Sequence, residues 1–195
     1  MSTPMSAEAA PSRGFESFTG ESLEVTGRRF TIRRAVESDL SALVALLRDD
    51  VLGAAREGTA DTAAGRTNTG DTDASDSDDL AAYARAFGLI NADPNQLLVA
   101  VEEDTEVVGT LQLSLMPSLS RRGTLRLQIE AVRIGAAAQG IGLGTSVFEW
   151  AHDCGRRFGA RLVQLTTDKS RGDAQRFYAR LGYVASHEGL KLPLT

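Results

Sequence analysis

The sequence predicts one mixed α/β domain, in which helices pack against a layer of strands with a single crossover connection. Three observations lead to this fold class. Strand-like and helix-like stretches alternate along the chain from residue 29 onwards. One central strand, Thr124–Ile134, changes the parity of its apolar residues halfway along. Three glycines, Gly140, Gly142 and Gly144, separate that strand from an amphipathic helix.

The N-terminal part predicts a tail, one strand and two helices around an acidic insert. Residues 1–27 are rich in small and polar residues without periodicity, which indicates a flexible tail before a domain over residues 28–195. A strand is predicted at Arg29–Val36, and a helix with an apolar face follows it. Residues 57–79 are low in complexity and acidic, which predicts a disordered insert. A helix is predicted after the insert, at Asp79–Ile90.

The C-terminal part carries most of the predicted strands. The short polar connection between Gln96–Val101 and Glu106–Leu115 is typical of a hairpin. The predicted strands are Gln96–Val101, Glu106–Leu115, Thr124–Ile134, Arg161–Thr167, Tyr183–Ser186 and Leu190–Leu194, and the predicted helices are Gly142–Phe158 and Gly172–Leu181.

Composition excludes several functional classes. The chain has 195 residues, 42% of them hydrophobic, and no apolar run near the ~20 residues that span a bilayer. The net charge of −5 arises in the insert, which carries seven acids and one base, and no basic stripe for nucleic acid is present. The single cysteine, Cys154, excludes a disulfide framework, and no metal site is predicted. With no signal peptide in the pattern, we expect a cytoplasmic protein.

The parity change in Thr124–Ile134 has two interpretations. Apolar residues occupy odd positions up to Ala131, and then Val132 and Ile134 are apolar around the charged Arg133. One extra residue, a β-bulge, would produce this change and leave backbone groups open to a ligand. A strand buried on both faces would produce it equally well.

The glycine cluster predicts an anion site at the start of the following helix. Glycines allow positive φ and a close approach to the backbone N–H groups that a helix N-terminus leaves unpaired. No carboxylate stands in Gly140–Ser146 to repel an anion, and Thr145 and Ser146 add hydroxyl groups. The spacing fits neither a Walker loop nor a dinucleotide fingerprint.

Two motifs carry a resemblance to a known family. Gln139-Gly140-Ile141-Gly142-Leu143-Gly144 resembles the Q/R-x-x-G-x-G/A motif of the GNAT N-acetyltransferases, and residues 174–183, AQRFYARLGY, resemble their A-x-x-F-Y-x-x-x-G-F/Y stretch. The order of elements from Arg29 onwards is also similar to that family. The resemblance implies a mostly antiparallel sheet flanked by helices, with a splayed central strand.

The resemblance also implies a cofactor and a reaction. Acetyl-CoA would place its pyrophosphate on the N–H groups of Gly140–Thr145 and its pantetheine along Val132, Arg133 and Ile134. The acceptor would be a primary amine of a small molecule or peptide, and a homodimer is possible for the family. Arg171 stands where family members commonly have an asparagine that contacts the cofactor, and it would meet a phosphate instead.

The same resemblance gives Tyr178 the role of general acid toward the leaving thiolate. Its position on an apolar helical stripe is equally typical of a core residue. Glu130, expected to be half-buried on the polar face of the splaying strand, is the candidate base; a solvent-facing strand residue is the alternative. His152 is interpreted as a surface or interface residue, His187 as a candidate substrate contact and Cys154 as packing. A catalytically silent acyl-CoA-binding sensor is the competing function.

Overall fold

The computed structural model describes residues 14–49 and 72–194, with side chains from residue 79 in the second range. Those residues form one six-stranded sheet and four helices of nine or more residues. The strands are β1 (Glu21–Val25), β2 (Arg28–Arg34), β3 (Gln96–Glu103), β4 (Glu106–Met116), β5 (Arg126–Ile134) and β6 (Leu162–Leu165). The helices are α1 (Leu40–Arg48), α2 (Thr72–Ala92), α3 (Leu143–Arg157) and α4 (Gly172–Arg180).

The strands follow one another in the sheet in the order of the sequence. Each of β1 to β5 pairs antiparallel with the next, and β6 pairs parallel with β5. A parallel pair needs a crossover, which α3 provides between β5 and β6. The predicted mixed α/β fold, with a mostly antiparallel sheet and one crossover, is confirmed.

Helices cover both faces of the sheet. The larger core lies under α3, where Leu143, Val147, Ala151 and Cys154 of its apolar stripe are buried. That core also contains Phe30, Ile32, Leu97, Val99, Leu111, Leu113, Leu127 and Ile129 from the sheet. On the opposite face, Leu43 of α1 and Phe87 of α2 pack with Leu98 and Ala100 of β3.

Helix α3 lies unusually close to β5. A Cβ atom built on Gly155 would come within 2.8 Å of Leu127 Cδ2 and 3.5 Å of Leu127 Cβ. Leu127 is 0% exposed, so an added methyl group would displace the end of a core side chain. Glycine at position 155 therefore sets the distance between the crossover helix and the central strand.

A partly buried ion-pair network joins the start of α1 to the sheet. Arg33 donates to both carboxylate oxygens of Asp39, at 2.6 and 3.0 Å, and its Nε donates to Glu102 at 2.8 Å. Asp39 also accepts the backbone N–H of Val36 at 2.8 Å. These hydrogen bonds hold the pKa of the Asp39 carboxyl below its ordinary value.

The start of the described chain corrects one expectation. Residues 14–27 do not form a loose tail, because β1 lies within them and Phe15 is 0% exposed, with its N–H bonded to the Pro94 carbonyl. The aromatic residues Phe15 and Phe18 in this otherwise polar segment indicate that it packs against the core. Phe18 packs edge-on against Trp150. Residues 1–13 lie outside the described residues.

The insert and the C-terminal segment also differ from the prediction. Helix α2 begins at Thr72, inside the predicted insert, whose residues 57–71 lie outside the described part of the chain. Neither Tyr183–Ser186 nor Leu190–Leu194 forms a strand. Val184 and Leu190 are 81% and 94% exposed, so the alternating apolar side chains pack against nothing that would favour a strand. No helix in the described ranges is long and apolar enough to cross a bilayer.

Candidate functional site

A β-bulge interrupts β5. Gln112 of β4 stands opposite Glu130, but Thr110 stands opposite Arg133, so Leu111 faces two residues of β5. Ala131, one of those two, has a φ of +52°. The structure therefore selects the bulge over the strand buried on both faces, and the parity change in the sequence marks it.

The bulge coincides with a gap between β5 and β6. The two strands pair only from Arg126–Ile129 with Leu162–Leu165. Beyond Ile129, no strand in the described ranges covers this edge of β5. The carbonyl oxygens of Val132 and Ile134 point into the gap, since they accept hydrogen bonds from the side chains of Arg133 (2.8 Å) and Gln139 (2.7 Å). A strand residue directs its N–H and its carbonyl to the same side, so the N–H groups of Val132 and Ile134 face the gap as well.

The glycine loop adopts the conformation that its sequence predicts. Gly140 and Gly142 have φ values of +77° and +91°, and Gly142 is the N-cap of α3. The first bond of the helix runs from the Ser146 N–H to the Gly142 carbonyl at 3.2 Å. The N–H groups of Leu143, Gly144 and Thr145 precede that bond and lack a carbonyl one turn earlier.

Space and charge at this loop suit an anion. A Cβ atom at Gly140 would meet nothing within 4 Å, and the first turn of α3 carries no acid. Gln139 fixes the loop to the end of β5 through its bond to Ile134, while Leu143 is buried and Ile141 packs against the core. These residues fit a diphosphate held by backbone N–H groups.

Tyr178 lies in a cluster of aromatic rings that joins α4 to α3. Phe148 and Phe177 lie 5.5 Å from its ring centroid, and Tyr183 lies 5.9 Å away. Burial in this cluster raises the pKa of the Tyr178 phenol, while the positive charges of Arg171 and Arg133 lower it by smaller amounts. Arg171 is the N-cap of α4 and Arg133 belongs to β5, so the two charges that act on Tyr178 come from the start of its own helix and from the strand beside the gap.

Glu130 stands directly before the bulge, on the face of the sheet that carries Gln112. Its side chain is exposed, not half-buried as expected. The solvent-facing alternative therefore describes its burial correctly. Its position beside the gap, which the prediction also used, is as expected.

The other singled-out residues divide into packing and surface groups. Burial raises the pKa of the Cys154 thiol to about 12, in agreement with a packing role. His152 is not a plain surface residue, because its Nε2 lies 2.7 Å from the Tyr183 hydroxyl. His187 is exposed and contacts Ser186. A concavity of about 270 Å³ between Glu16, Arg34 and residues 91–94 involves none of the predicted site residues.

Sequence reasoning missed a set of polar side chains on the same face as Glu130. Gln96, Ser114, Gln128 and Gln164 stand in one register line across β3, β4, β5 and β6. The signal was present, since polar residues occupy the even positions from Thr110 to Ser114 in β4 and from Arg126 to Glu130 in β5, but their alignment depends on strand pairing.

The comparisons with known proteins agree with this geometry. Residues 62–183 match the Acetyltransferase (GNAT) family. The chain belongs to the GNAT family. An aminoalkylphosphonate N-acetyltransferase of Salmonella typhimurium is 31% identical over 109 residues, which are 56% of this chain and 70% of that protein.

Solved structures show the same GNAT fold. A crystal structure called a transcriptional regulator, from Bacillus halodurans, is 41% identical, has a TM-score of 0.71 and aligns 85% of this chain with 99% of that one. An acetyltransferase from Clostridium acetobutylicum, determined with acetyl-CoA, is 17% identical, with a TM-score of 0.59 and coverage of 84% and 96%. At that identity the second likeness concerns the fold alone. GNAT acetyltransferases use acetyl-CoA.

Proposed function

We propose that this protein transfers the acetyl group of acetyl-CoA to a primary amine of a small molecule or peptide. The observation that carries the proposal is the combination of the bulge in β5, the glycine loop before α3 and Tyr178 on α4. The charge of Arg133 on β5 acts on the Tyr178 phenol, and a Cβ atom on Gly144 would lie 3.8 Å from Phe177, so α4 lies near both the loop and the strand. Any one of these features has a purely structural explanation. Together they would suit a diphosphate, an extended arm and a leaving thiolate.

The residues that would hold acetyl-CoA follow from the open backbone groups. The N–H groups between Gly140 and Thr145 would bind the pyrophosphate, and the β5 edge at Val132–Ile134 would pair with the pantetheine. The Arg133 side chain donates a hydrogen bond to the Val132 carbonyl oxygen. A pantetheine arm that bonds to this oxygen would therefore have to displace the arginine. Arg171, at the start of α4, would contribute positive charge to a phosphate.

Bound acetyl-CoA supplies an activated thioester, so much of the acceleration comes from positioning. A β5 N–H beside the bulge stabilises negative charge on the reacting carbonyl. Glu130 accepts the proton of the incoming ammonium, directly or through water. Tyr178, kept protonated by its raised pKa, donates its phenol proton to the departing sulfur.

A second candidate is an acyl-CoA-binding regulatory domain without turnover. The relative at 41% identity bears the name of a transcriptional regulator, which favours this candidate more than the sequence alone does. Tyr178, the glycine loop and Glu130 beside the gap support the enzyme. The two candidates differ in whether an amine releases free CoA from the bound cofactor.

The first test is a calorimetric titration of acetyl-CoA into the wild type and Gly142→Glu. The substitution places a side chain and a negative charge at the expected diphosphate position. Gly123→Glu is the matched control, because Gly123 also has positive φ (+73°) with open space around it, but lies before the other end of β5.

We expect the wild type and Gly123→Glu to bind acetyl-CoA and Gly142→Glu to lose binding while remaining folded. An amine panel with detection of released thiol then separates transfer from binding alone. The panel includes an aminoalkylphosphonate, because the Salmonella relative is named for that substrate. A wild type that does not bind acetyl-CoA contradicts the proposal.

A further inference from the structure

Four polar side chains form a continuous line across the sheet, which we call the amide row: Gln96, Ser114, Gln128 and Gln164. They occupy successive partner positions on β3, β4, β5 and β6. Ser114 Oγ donates to Gln96 Oε1 at 2.6 Å, and Gln164 Nε2 donates to Gln128 Oε1 at 2.7 Å. Gln112, one step further along the same face, donates to Gln96 at 3.1 Å.

The amide row lies where the fold would accommodate apolar residues. Further along β3, the same face of the sheet carries Leu98 and Ala100, which pack against α1 and α2. Ser114 and Gln128 are only 6% and 8% exposed, and polar groups at such depth stabilise a fold less than apolar side chains do. The Gln128 amide nitrogen makes no hydrogen bond within the described residues, so it retains two donors.

Charged groups stand on either side of the row along β5. Glu130 lies two residues beyond Gln128, at the gap, and Arg126 lies two residues before it. Arg126 donates to Gln164 Oε1 at 3.2 Å, but its buried Nε has no hydrogen-bond partner. No carboxylate in the described ranges pairs with this guanidinium. A half-buried cation without a counter-charge is a ready partner for an anionic ligand group.

We propose that this face is the acceptor subsite and that it takes a hydrophilic amine carrying an acidic group at its far end. The inference rests on the proposed transferase function and names its substrate class. The ammonium binds at Glu130 beside the gap. Hydroxyl or amide groups of the acceptor meet Gln128 and Gln112, and the carboxylate or phosphate binds Arg126.

Strand geometry sets the length of such an acceptor. Glu130 and Arg126 are four residues apart, which is about 13 Å between their Cα atoms at ~3.3 Å per residue. Because both side chains are long, they shorten the distance that the ligand itself must span. The amine and the acid must still be separated by several bonds, more than in an α-amino acid.

The test compares amines that differ in length and charge. Wild-type turnover is measured with 4-aminobutanoate, 6-aminohexanoate and 8-aminooctanoate, and with the amino alcohol of each length. We expect the longer amino acids to exceed their alcohols at least tenfold in kcat/KM. Arg126→Gln should abolish this preference through the KM of the amine, and Arg126→Lys should retain part of it. The KM of acetyl-CoA should stay unchanged.

Arg161→Gln is the control variant. It removes the same charge from an exposed position in the turn between α3 and β6, and it should keep the wild-type preference. Equal kcat/KM for acids and alcohols in the wild type, or a preference that survives Arg126→Gln, overturns the inference.

A binding measurement separates the inference from the proposed function. The wild type and Arg126→Gln are saturated with CoA and titrated with 6-aminohexanoate and with 6-amino-1-hexanol. Acid-selective binding that requires Arg126, without transfer to any amine, supports the subsite and contradicts the transferase. Transfer without acid selectivity in binding or turnover supports the transferase and contradicts the subsite.

Discussion

Tyr183 donates its backbone N–H to the carbonyl oxygen of Tyr178 at 3.0 Å and packs its ring 5.9 Å from the Tyr178 ring. The Tyr183 hydroxyl in turn lies 2.7 Å from His152 Nε2 on α3. No residue of α4 is fully buried, so this helix depends on its aromatic residues for anchoring. The position of Tyr178 is thus tied to a histidine on another helix.

The His152 contact predicts an acid-sensitive component of stability. Burial, assisted by the charge of Arg156, lowers the pKa of His152 below its ordinary value. The unfolded state therefore binds a proton first, at about pH 6.5, and stability is lost as the pH falls below that value. His152→Gln should reduce the loss between pH 7 and pH 5, measured by urea unfolding. The control His187→Gln, at an exposed site, should follow the wild type, and identical curves for all three proteins would refute the assignment.

Tyr178→Phe removes one hydroxyl and keeps the ring in its cluster. If the phenol protonates the leaving thiolate, kcat should fall about 10²-fold or more, while the KM of acetyl-CoA and the melting temperature stay near wild type. The raised pKa keeps Tyr178 protonated beyond its ordinary value near 10, so its ionisation should not reduce kcat at pH 7–9. A variant with nearly unchanged kcat would assign Tyr178 to the core alone.

Gly155→Ala tests the close approach of α3 to β5. The added methyl group would meet the buried Leu127 at 2.8 Å. Overpacking costs about 1–3 kcal/mol and exceeds the gain of up to ~1 kcal/mol in helix propensity. We expect a net loss of about 1–2 kcal/mol in the free energy of unfolding. Gly88→Ala, at an exposed position of α2 with nothing within 4 Å of the added atom, should be neutral or stabilising. Equal effects of the two changes would contradict the packing argument.

Asp39→Asn tests the network that joins α1 to the sheet. The lowered pKa of Asp39 means that its charged form stabilises the fold above about pH 3.9, the ordinary value, and that this contribution disappears as the pH falls further. The variant should lose about 1–3 kcal/mol at pH 7 and show a flatter dependence between pH 5 and pH 3. Chemical denaturation at several pH values measures both, with the exposed neighbour Glu37→Gln as control. A steep acid transition that persists in Asp39→Asn would assign it to other groups.

Local signals in the sequence predicted part of the backbone conformation at the candidate site. The parity change between Ala131 and Val132 limited this strand to two interpretations because side chains alternate strictly along a strand, and the strand pairing selected the bulge. Glycines before a helix start predicted the positive φ values at Gly140 and Gly142. The glycine inference needs only neighbours along the chain, whereas the choice of the bulge needs the partner strand.

The missed features depend on residues far apart in sequence. Phe15 becomes buried only when it packs against the core and Pro94, and the amide row exists only once four strands are in register. The failed strand at Leu190–Leu194 has the right alternation, but Pro193 lacks an N–H and no partner edge is available. The exposure of Glu130 likewise depends on the packing of distant elements on its face of the sheet, which the local sequence does not show.

The hydrogen bonds from Arg133 to Val132 and from Gln139 to Ile134 have a consequence for self-association. An uncovered strand edge offers a template on which another polypeptide can add a strand. The gap that we propose for a pantetheine arm exposes such an edge between β5 and β6. Two side chains from the same segment occupy its carbonyl oxygens. The opening is thereby protected against a foreign strand while it stays accessible to a small ligand that can displace an arginine.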